Sequence, residues 1–408
     1  MRMRARSLAA IALAVLTLGV AGCDKKPSPD GASGTAGSAS VTRAPSAVQA
    51  HPGCNLTTPG GNLLPKLGLG TLSLAVAKGK ALVVDTQEGI EKPRADRILL
   101  GPEGVPEGEA EAIDDLLPKG QSAITFASAM AFQDDLTSLA FAYGARPPSA
   151  AQCAEGVVMM KALGVTGARR EVTHACRTTT LLRGAARHEL GIAIVDDSGV
   201  ADAWVIDRAD TRLVHLETLD KADAKVVDGA VAAGATSLAA AWVVSSGTTR
   251  ELHVARVGRA GEILGKMDVL DKQNVGSVTM AFEADTLHIV WSSFQPDRNR
   301  SVLKWTKWPA SGTPQAAQTI GTGVLSATQP SLAFADGRFM LAWTEGDAIR
   351  VGASRAGIAG LSGLATTSAK GGPASSAVVG LEHDAMFVAW REAGPNAGVR
   401  ASTLKCLE

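Results

Sequence analysis

The stretch PSLAFADGRFMLAW, residues 330–343, decides the fold. It holds two short apolar runs, and the polar turn between them carries the pair Asp336-Gly337. An Asp-Gly pair between two apolar runs is a strong signal for a β-hairpin, because both positions of the tight turn need a left-handed backbone. Trp343 closes the second run. The stretch therefore predicts two antiparallel strands joined by a two-residue turn.

The same pattern recurs along the chain. Residues 277–291 and 376–390 each give an apolar run, a polar turn and a second run that ends in tryptophan. Four earlier stretches match the second run alone. We call the last residue of each second run an anchor, and successive anchors are 47 to 59 residues apart. The anchors are Val84, Tyr143, Val195, Trp242, Trp291, Trp343 and Trp390.

This repeat predicts the fold class. Self-similarity at a period of about 40 to 50 residues is typical of propellers and solenoids. A polar loop and a further strand follow each anchor, as in residues 349–354. We therefore predict an all-β fold, a seven-bladed β-propeller of four-stranded blades, with the anchor tryptophans packed between blades. A β-solenoid is the alternative, although its coils are usually much shorter than this repeat.

The cysteines test how the ring would close. The last unit stops at Cys406 without an outermost strand, whereas the segment from Cys54 to Leu69 precedes the first unit. We expect this N-terminal segment to supply the missing strand and a Cys54–Cys406 disulfide to fix the seam. The chain has five cysteines, and four remain if Cys23 is the lipidation site described below. Four cysteines allow three pairings, and an even number in an exported chain favours disulfides. The remaining pair, Cys153 and Cys176, would close a short loop.

The start of the chain carries a processing signal. Three arginines within the first six residues precede an almost wholly apolar run over residues 7–20. That run is shorter than the about 20 residues that span a membrane and has the length of a secretory signal. Residues 20–23, Val-Ala-Gly-Cys, resemble a bacterial lipobox. The resemblance implies a lipoprotein signal peptide over residues 1–22, cleavage before Cys23, lipidation of Cys23 and acylation of the new amino terminus.

A linker and a folded domain follow the signal. Residues 23–50 are rich in Ser, Gly, Ala, Pro and Thr, which is typical of a flexible tether because such a chain buries little apolar surface. A tether of this length spans about 30 Å. We expect residues 51–408 to form the propeller domain on the exported side of the cell envelope. Asp24 marks inner-membrane retention in some enteric bacteria but not in every lineage, so both membranes stay open.

Composition excludes one class of partner. The chain has 40 basic and 40 acidic residues, and removing the three arginines of the signal leaves 37 against 40. A near-neutral, slightly acidic domain has no electrostatic footprint for nucleic acid. We therefore expect no nucleic-acid partner.

The sequence predicts no catalytic residue, metal ligand or cofactor. No Gly-x-Ser-x-Gly elbow and no Walker sequence is present. The seven histidines have no ligand spacing. Adjacent carboxylates such as Asp196-Asp197 point to opposite faces of a strand, which makes them poor acid–base pairs.

Two segments are candidates for partner binding. The acidic segment over residues 101–120 is either a solvated loop or a docking loop for a basic partner. The polar loop over residues 295–300 precedes two tryptophans, and exposed Trp and Arg are favoured at interfaces. The candidate residues are Glu107, Glu109, Glu111, Arg298, Arg300, Trp305 and Trp308.

The leading hypothesis for function is a lipid-anchored envelope protein that uses a propeller face for protein binding or scaffolding. In general plan it resembles propeller lipoproteins that assist envelope assembly, but their repeat motifs are not matched here. The alternatives are a propeller enzyme, a hydrolase or lyase, and a small-ligand-binding sensor, both with a site at the central channel. The partner itself is not predicted.

Overall fold

The computed structural model describes most of the region after the tether. The described residues are 53–57, 63–64, 72–87, 94–112, 124–132, 135–145, 153–162, 170–176, 182–187, 190–197, 200–207, 211–219, 221, 223–272, 274–320, 325–361, 364–367, 372–395 and 397–406. Between residues 124 and 199 the description covers the backbone alone. The predicted signal peptide 1–22, the predicted lipidation site Cys23 and the predicted tether 23–50 lie outside the described residues.

The described strands form seven four-stranded antiparallel sheets. The first sheet holds β2 (Leu72–Ala77), β3 (Lys80–Gln87), β4 (Arg94–Leu100) and β5 (Glu111–Ala112). The second holds β6 (Ile124–Phe132), β7 (Asp135–Ala145), β8 (Cys153–Ala162) and β9 (Arg170–Cys176). The third holds β10 (Leu182–Arg187), β11 (Leu190–Asp197), β12 (Val200–Asp207) and β13 (Thr211–Thr218).

The other four sheets repeat this order. The fourth holds β14 (Lys225–Ala233), β15 (Ser237–Ser246), β16 (Thr249–Gly258) and β17 (Ile263–Asp271). The fifth holds β18 (Val275–Glu283), β19 (Thr286–Gln295), β20 (Arg300–Trp308) and β21 (Gln318–Ile320). The sixth holds β22 (Ala327–Ala335), β23 (Arg338–Glu345), β24 (Ala348–Ser354) and β25 (Ala365–Thr366). The seventh holds β26 (Ala374–Glu382), β27 (Ala385–Glu392), β28 (Gly398–Cys406) and, paired to β28, β1 (Cys54–Leu56).

The all-β class predicted from the repeat is confirmed. Helical structure in the described residues amounts to two single 3-10 turns, Pro296–Arg298 and Ile358–Gly360. The Asp-Gly signal also forms its predicted hairpin, in which Asp336 and Gly337 have φ of 49° and 72°. Both angles lie in the left-handed region that a type I′ turn requires. All seven anchors lie in the second strand of a sheet.

The anchor tryptophans are buried between neighbouring sheets, as predicted. Trp242 shares an apolar cluster with Val205 and Val214 of the third sheet, the sheet before its own. Trp291, Trp343 and Trp390 do the same with the sheets that precede theirs. Burying one indole removes about 200 Å² of apolar surface from water, which stabilises the fold by roughly 5 kcal/mol before the cost of ordering it.

The N-terminal segment completes the seventh sheet. β1 pairs with β28 in a register that sets Cys54 opposite Cys406, and the two cysteines form a disulfide. This confirms the predicted pairing of the two ends. Phe387 and Ala389 of the same sheet share an apolar cluster with Leu72 and other residues of the first sheet. The first and last sheets of the chain are therefore in contact.

The second predicted disulfide has backbone support. Cys153 lies directly opposite Cys176 in the antiparallel pair β8 and β9. Their side chains lie outside the described part, so this disulfide stays a prediction.

Candidate functional site

Among the described side chains, those of the first strands of five sheets line a cavity of about 570 Å³. Its wall comes from β2, β14, β18, β22 and β26, with further residues from second and third strands. The residues that face it are mainly small, apolar or hydroxyl-bearing. A cavity shared by this many sheets fits the usual setting of a small-molecule site, which lies where several elements converge.

Backbone irregularities shape the cavity wall. The register between first and second strand shifts in four of these sheets, at residues 226–228, 275–278, 328–331 and 375–378. A shift of this kind adds an unpaired residue and bends the strand, which often re-aims side chains near functional sites. Gln329 lies in one shifted segment with φ of 51°, a left-handed angle that is uncommon for a residue other than glycine.

Hydrogen bonds join successive first strands around the cavity. The backbone N–H of Gln329 donates to Ser277 Oγ at 2.9 Å, and the N–H of Ser376 donates to Gln329 Oε1 at 3.0 Å. These three residues occupy the same position in β18, β22 and β26. The side chains of Ser277 and Gln329 therefore each accept a backbone hydrogen bond from the next first strand.

A second set of hydrogen bonds has its acceptors two residues further along β18 and β22. The N–H of Leu332 donates to Thr279 Oγ1 and the N–H of Val379 donates to Ser331 Oγ, each at 3.1 Å. These hydroxyl oxygens act as acceptors for the backbone, and each hydroxyl keeps its own O–H as a donor. The cavity wall is thus rich in hydroxyl donors.

Asp228 and Arg391 are the charged residues among the described side chains that line the cavity. Asp228 Oδ2 accepts the N–H of Val278 at 3.1 Å. Arg391 is buried and pairs with the buried Asp85 of the first sheet, its Nε lying 3.1 Å from Asp85 Oδ1. This pair joins the first and seventh sheets beside the cavity.

Burial governs the ionisation of Asp85. Desolvation raises the pKa of its carboxyl above the ordinary value, and the attraction of Arg391 opposes this shift without cancelling it. Asp85 Oδ2 makes no hydrogen bond with the described residues. The nearby carboxylate of Asp96, directly opposite in β4, adds a smaller repulsion.

The loop predicted as a binding segment is only partly exposed. Arg298 is 60% exposed and lies in the 3-10 turn between β19 and β20. Arg300 and Trp305 are partly buried, and Trp308 is buried. Trp308 donates its indole N–H to the carbonyl of Gly312 at 2.9 Å. Of these four candidates, Arg298 is the one that presents most of its side chain to a partner.

The acidic candidates lie on and before β5 of the first sheet. Glu107 pairs with Lys80 at 2.7 Å, and Glu111 pairs with Arg97. Glu109 is exposed. Two of the three predicted carboxylates are therefore paired within their own sheet, which lowers the net negative charge that this segment offers to a basic partner.

Sequence reasoning missed two exposed apolar residues beside Arg298. Phe294 is 36% exposed and Leu325 is 56% exposed. Their positions in the fold are linked through Ser301, which is the strand partner of Phe294 and donates its N–H to Ser326 Oγ, next to Leu325 in the chain. Neither residue stands in a motif, and their shared position depends on the pairing of strands.

His288 is a buried titratable group outside the cavity. Its ring stacks on Trp305 with centroids 5.9 Å apart, and its Nε2 lies 3.0 Å from Glu283 Oε2. The indole N–H of Trp305 donates to His288 Nδ1 at 3.3 Å. Burial lowers the pKa of His288, although the carboxylate of Glu283 acts in the opposite direction.

Metal-binding clusters and membrane-spanning helices are both absent from the described part of the chain. No group of three or more His, Cys, Asp or Glu side chains there is placed to hold a metal ion. Within the same residues, no helix has the length and apolar character needed to cross a membrane.

Solved structures share this architecture at low sequence identity. The endosialidase of phage phi92 matches with a TM-score of 0.50 and 9% identity, over 88% of this chain and 70% of that one. The beta-propeller domain of Myceliophteria thermophila Cps50 (Swd1) matches with a TM-score of 0.49 and 11% identity, over 87% and 100% of the chains. The beta-propeller domain of the Trilobed protease from Pyrococcus furiosus has a TM-score of 0.45 and 8% identity, over 87% and 96%.

The structural neighbours are β-propellers, and at these identities the likeness is one of fold. No family model and no curated protein matches the sequence.

Proposed function

We propose that this chain is an exported lipoprotein, anchored through Cys23, that uses one face of a closed seven-bladed β-propeller to bind or scaffold a protein partner. The observation that carries the proposal is the placement of the exposed Arg298, Phe294 and Leu325. These side chains lie at the end of the fifth and sixth sheets that is opposite to the end of the seventh sheet where Cys54 lies. The lipobox-like residues support the anchor.

Contacts between first strands support a closed ring. Each first strand contacts the next in the order β2, β6, β10, β14, β18, β22 and β26, and β26 contacts β2 again. The completion of the seventh sheet by β1 supports the same arrangement, because strands from both ends of the chain then share one blade. Closure removes exposed sheet edges between blades and gives a rigid body.

The direction of the strands relates the tether to the proposed binding face. Cys406 ends β28 beside the turn at residues 383–384, the connection between first and second strand. Cys54 is opposite Cys406, so the first described residues after the predicted tether lie at this end of the sheet. The loop at residues 296–299 connects a second strand to a third strand and therefore lies at the other end. An anchored propeller can present that loop away from the bilayer.

Membrane fractionation of bacteria that express the full chain tests the anchor. We expect the parent chain to sediment with membranes and the Cys23→Ala variant to be released. The Asp24→Ala variant is the matched control and should stay with the membrane fraction. Equal sedimentation of the parent and the Cys23→Ala variant would contradict lipidation.

Site-specific photocrosslinking in living cells tests the binding face. A photoreactive side chain at position 298 should give a discrete protein adduct. The same side chain at position 383, which is exposed at the opposite end, is the control and should give none. Adduct formation should also be lost in the Phe294→Asp/Leu325→Asp variant, because the substitutions remove the apolar surface proposed to bind the partner. Both side chains are exposed, so the substitutions should leave the core intact. Equal adducts at both positions would argue against a dedicated face.

A further inference from the structure

The described side chains that line the cavity between the first strands include one charged group of each sign, on different sheets. Asp228 lies on β14 of the fourth sheet, and Arg391 lies on β27 of the seventh. The fifth and sixth sheets come between them and contribute neutral hydroxyls, among them Ser277, Thr279 and Ser331. The carboxylate and the guanidinium are thus set apart along the cavity wall, with hydroxyl donors between them.

We propose that this cavity binds a short peptide with free ends. The carboxylate of the peptide lies toward Arg391, its ammonium group lies toward Asp228, and the hydroxyl donors between them bind its backbone carbonyls. This inference goes beyond the proposed function, because the ligand site and the partner-binding face are separate surfaces with separate tests.

The chemistry of the wall suits such a zwitterion. A guanidinium forms its strongest hydrogen bonds with a carboxylate, and the pairing of Arg391 with Asp85 holds the guanidinium in place at the cavity. The carboxylate of Asp228 is the complementary group for an ammonium. The hydroxyl oxygens of Thr279 and Ser331 already accept backbone N–H groups. Their O–H groups can therefore donate hydrogen bonds to the carbonyl oxygens of a peptide.

The size of the cavity sets the length of the ligand. A volume of about 570 Å³ lies within the range of small-molecule sites, roughly 300 to 1,000 Å³. An extended chain advances by about 3.3 to 3.6 Å per residue, so two or three residues span roughly 7 to 11 Å. A dipeptide or tripeptide matches a cavity shared by the first strands of five sheets.

Calorimetric titration of the full chain with three matched probes tests the proposal. The probes are trialanine, N-acetyl-trialanine and trialanine amide, which differ in the charge of one end. We expect trialanine to bind at least about tenfold more tightly than either blocked form, because each blocked form loses one charge-assisted interaction. Equal binding of all three, or no binding of trialanine at about 10 mM, would overturn the proposal.

Substitution of Asp228 tests recognition of the ligand's ammonium end separately from recognition of its carboxylate end. The Asp228→Asn variant keeps an oxygen that can accept the N–H of Val278. It should lose the preference for trialanine over N-acetyl-trialanine and keep the preference for trialanine over trialanine amide. The matched control is Asp223→Asn, which changes an exposed carboxylate outside the cavity in the same sheet region.

The control should retain both preferences. Persistence of the amine preference in the Asp228→Asn variant would assign the ammonium to another group and overturn the proposed orientation. Peptide binding without a crosslink at position 298 would support the ligand site and contradict the proposed face, so failure of one idea is distinguishable from failure of the other.

Discussion

At the scale of single residues, His288 shows how burial converts a titration into a stability effect. The pKa of its imidazole lies below the ordinary 6.5, chiefly because the ring is desolvated between the fifth and sixth sheets. As the pH falls through 6.5, the unfolded chain therefore binds the proton before the folded chain does. The stabilisation is fully present above 6.5 and is lost as the pH falls toward the lower pKa of the folded state.

We expect the stability of the parent to depend more strongly on pH than that of the His288→Gln variant. Urea unfolding at about pH 8 and about pH 5 should show a larger loss of unfolding free energy for the parent than for the variant. Glutamine keeps an oxygen that can accept the indole N–H of Trp305. An equal loss in both proteins would assign the pH dependence to other groups.

Trp242 shows which contacts of a single residue can be predicted from the sequence and which cannot. Its burial between sheets follows from its place in the repeat. Its polar end does not, because the indole N–H donates to Glu217 Oε2 at 2.6 Å, and Glu217 lies on β13 of the preceding sheet. His253 Nδ1 lies 3.0 Å from the same carboxylate oxygen. Local patterning does not identify such partners, since the contact exists only after two sheets have packed.

At the scale of elements, the pair β8 and β9 carries the second predicted disulfide. Cys153 and Cys176 are directly opposite each other in this antiparallel pair. Opposed positions bring Cβ atoms to about 4.5 to 5.5 Å, which is close to the separation of bridged cysteines. We expect peptide mapping without reductant, after cleavage between the two cysteines, to recover both in one disulfide-linked product. Two separate thiol-bearing peptides would contradict the prediction.

The first strands are the elements that sequence reasoning described least well. Their apolar runs predicted strands, and strands are observed. The register shifts at Gln329 and Ser376 were not predicted, although they set which side chains face the cavity. A shift of one residue leaves the composition of a strand unchanged, so periodicity alone does not reveal it. For the same reason, Asp228 could not be singled out from the sequence.

At the scale of the whole molecule, the Cys54–Cys406 disulfide joins residues 352 apart in sequence. β1 has three residues, so its pairing with β28 has few hydrogen bonds of its own. We expect the Cys54→Ser/Cys406→Ser variant to lose about 3–5 kcal/mol of unfolding free energy, because a long closed loop restricts the unfolded chain strongly. Urea unfolding measures this loss.

The matched control for this prediction is the Cys153→Ser/Cys176→Ser variant. Its loop is much shorter, so its loss should be smaller, about 2–3 kcal/mol. A seam variant as stable as the parent would show that packing of Phe387 and Ala389 against the first sheet holds the two ends without the disulfide.

The sequence by itself determined the strand repeat, the hairpin at Asp336-Gly337, the burial of the anchor tryptophans and the meeting of Cys54 with Cys406. Each follows from local chemistry: an apolar run, a turn that tolerates a left-handed backbone, or a segment left without a partner strand. The tertiary structure alone decided that Asp228 and Arg391 share a cavity and that Phe294 and Leu325 are exposed at the same end of neighbouring sheets. These groupings join residues from different sheets, and residues far apart in the chain become neighbours only through the packing of strands.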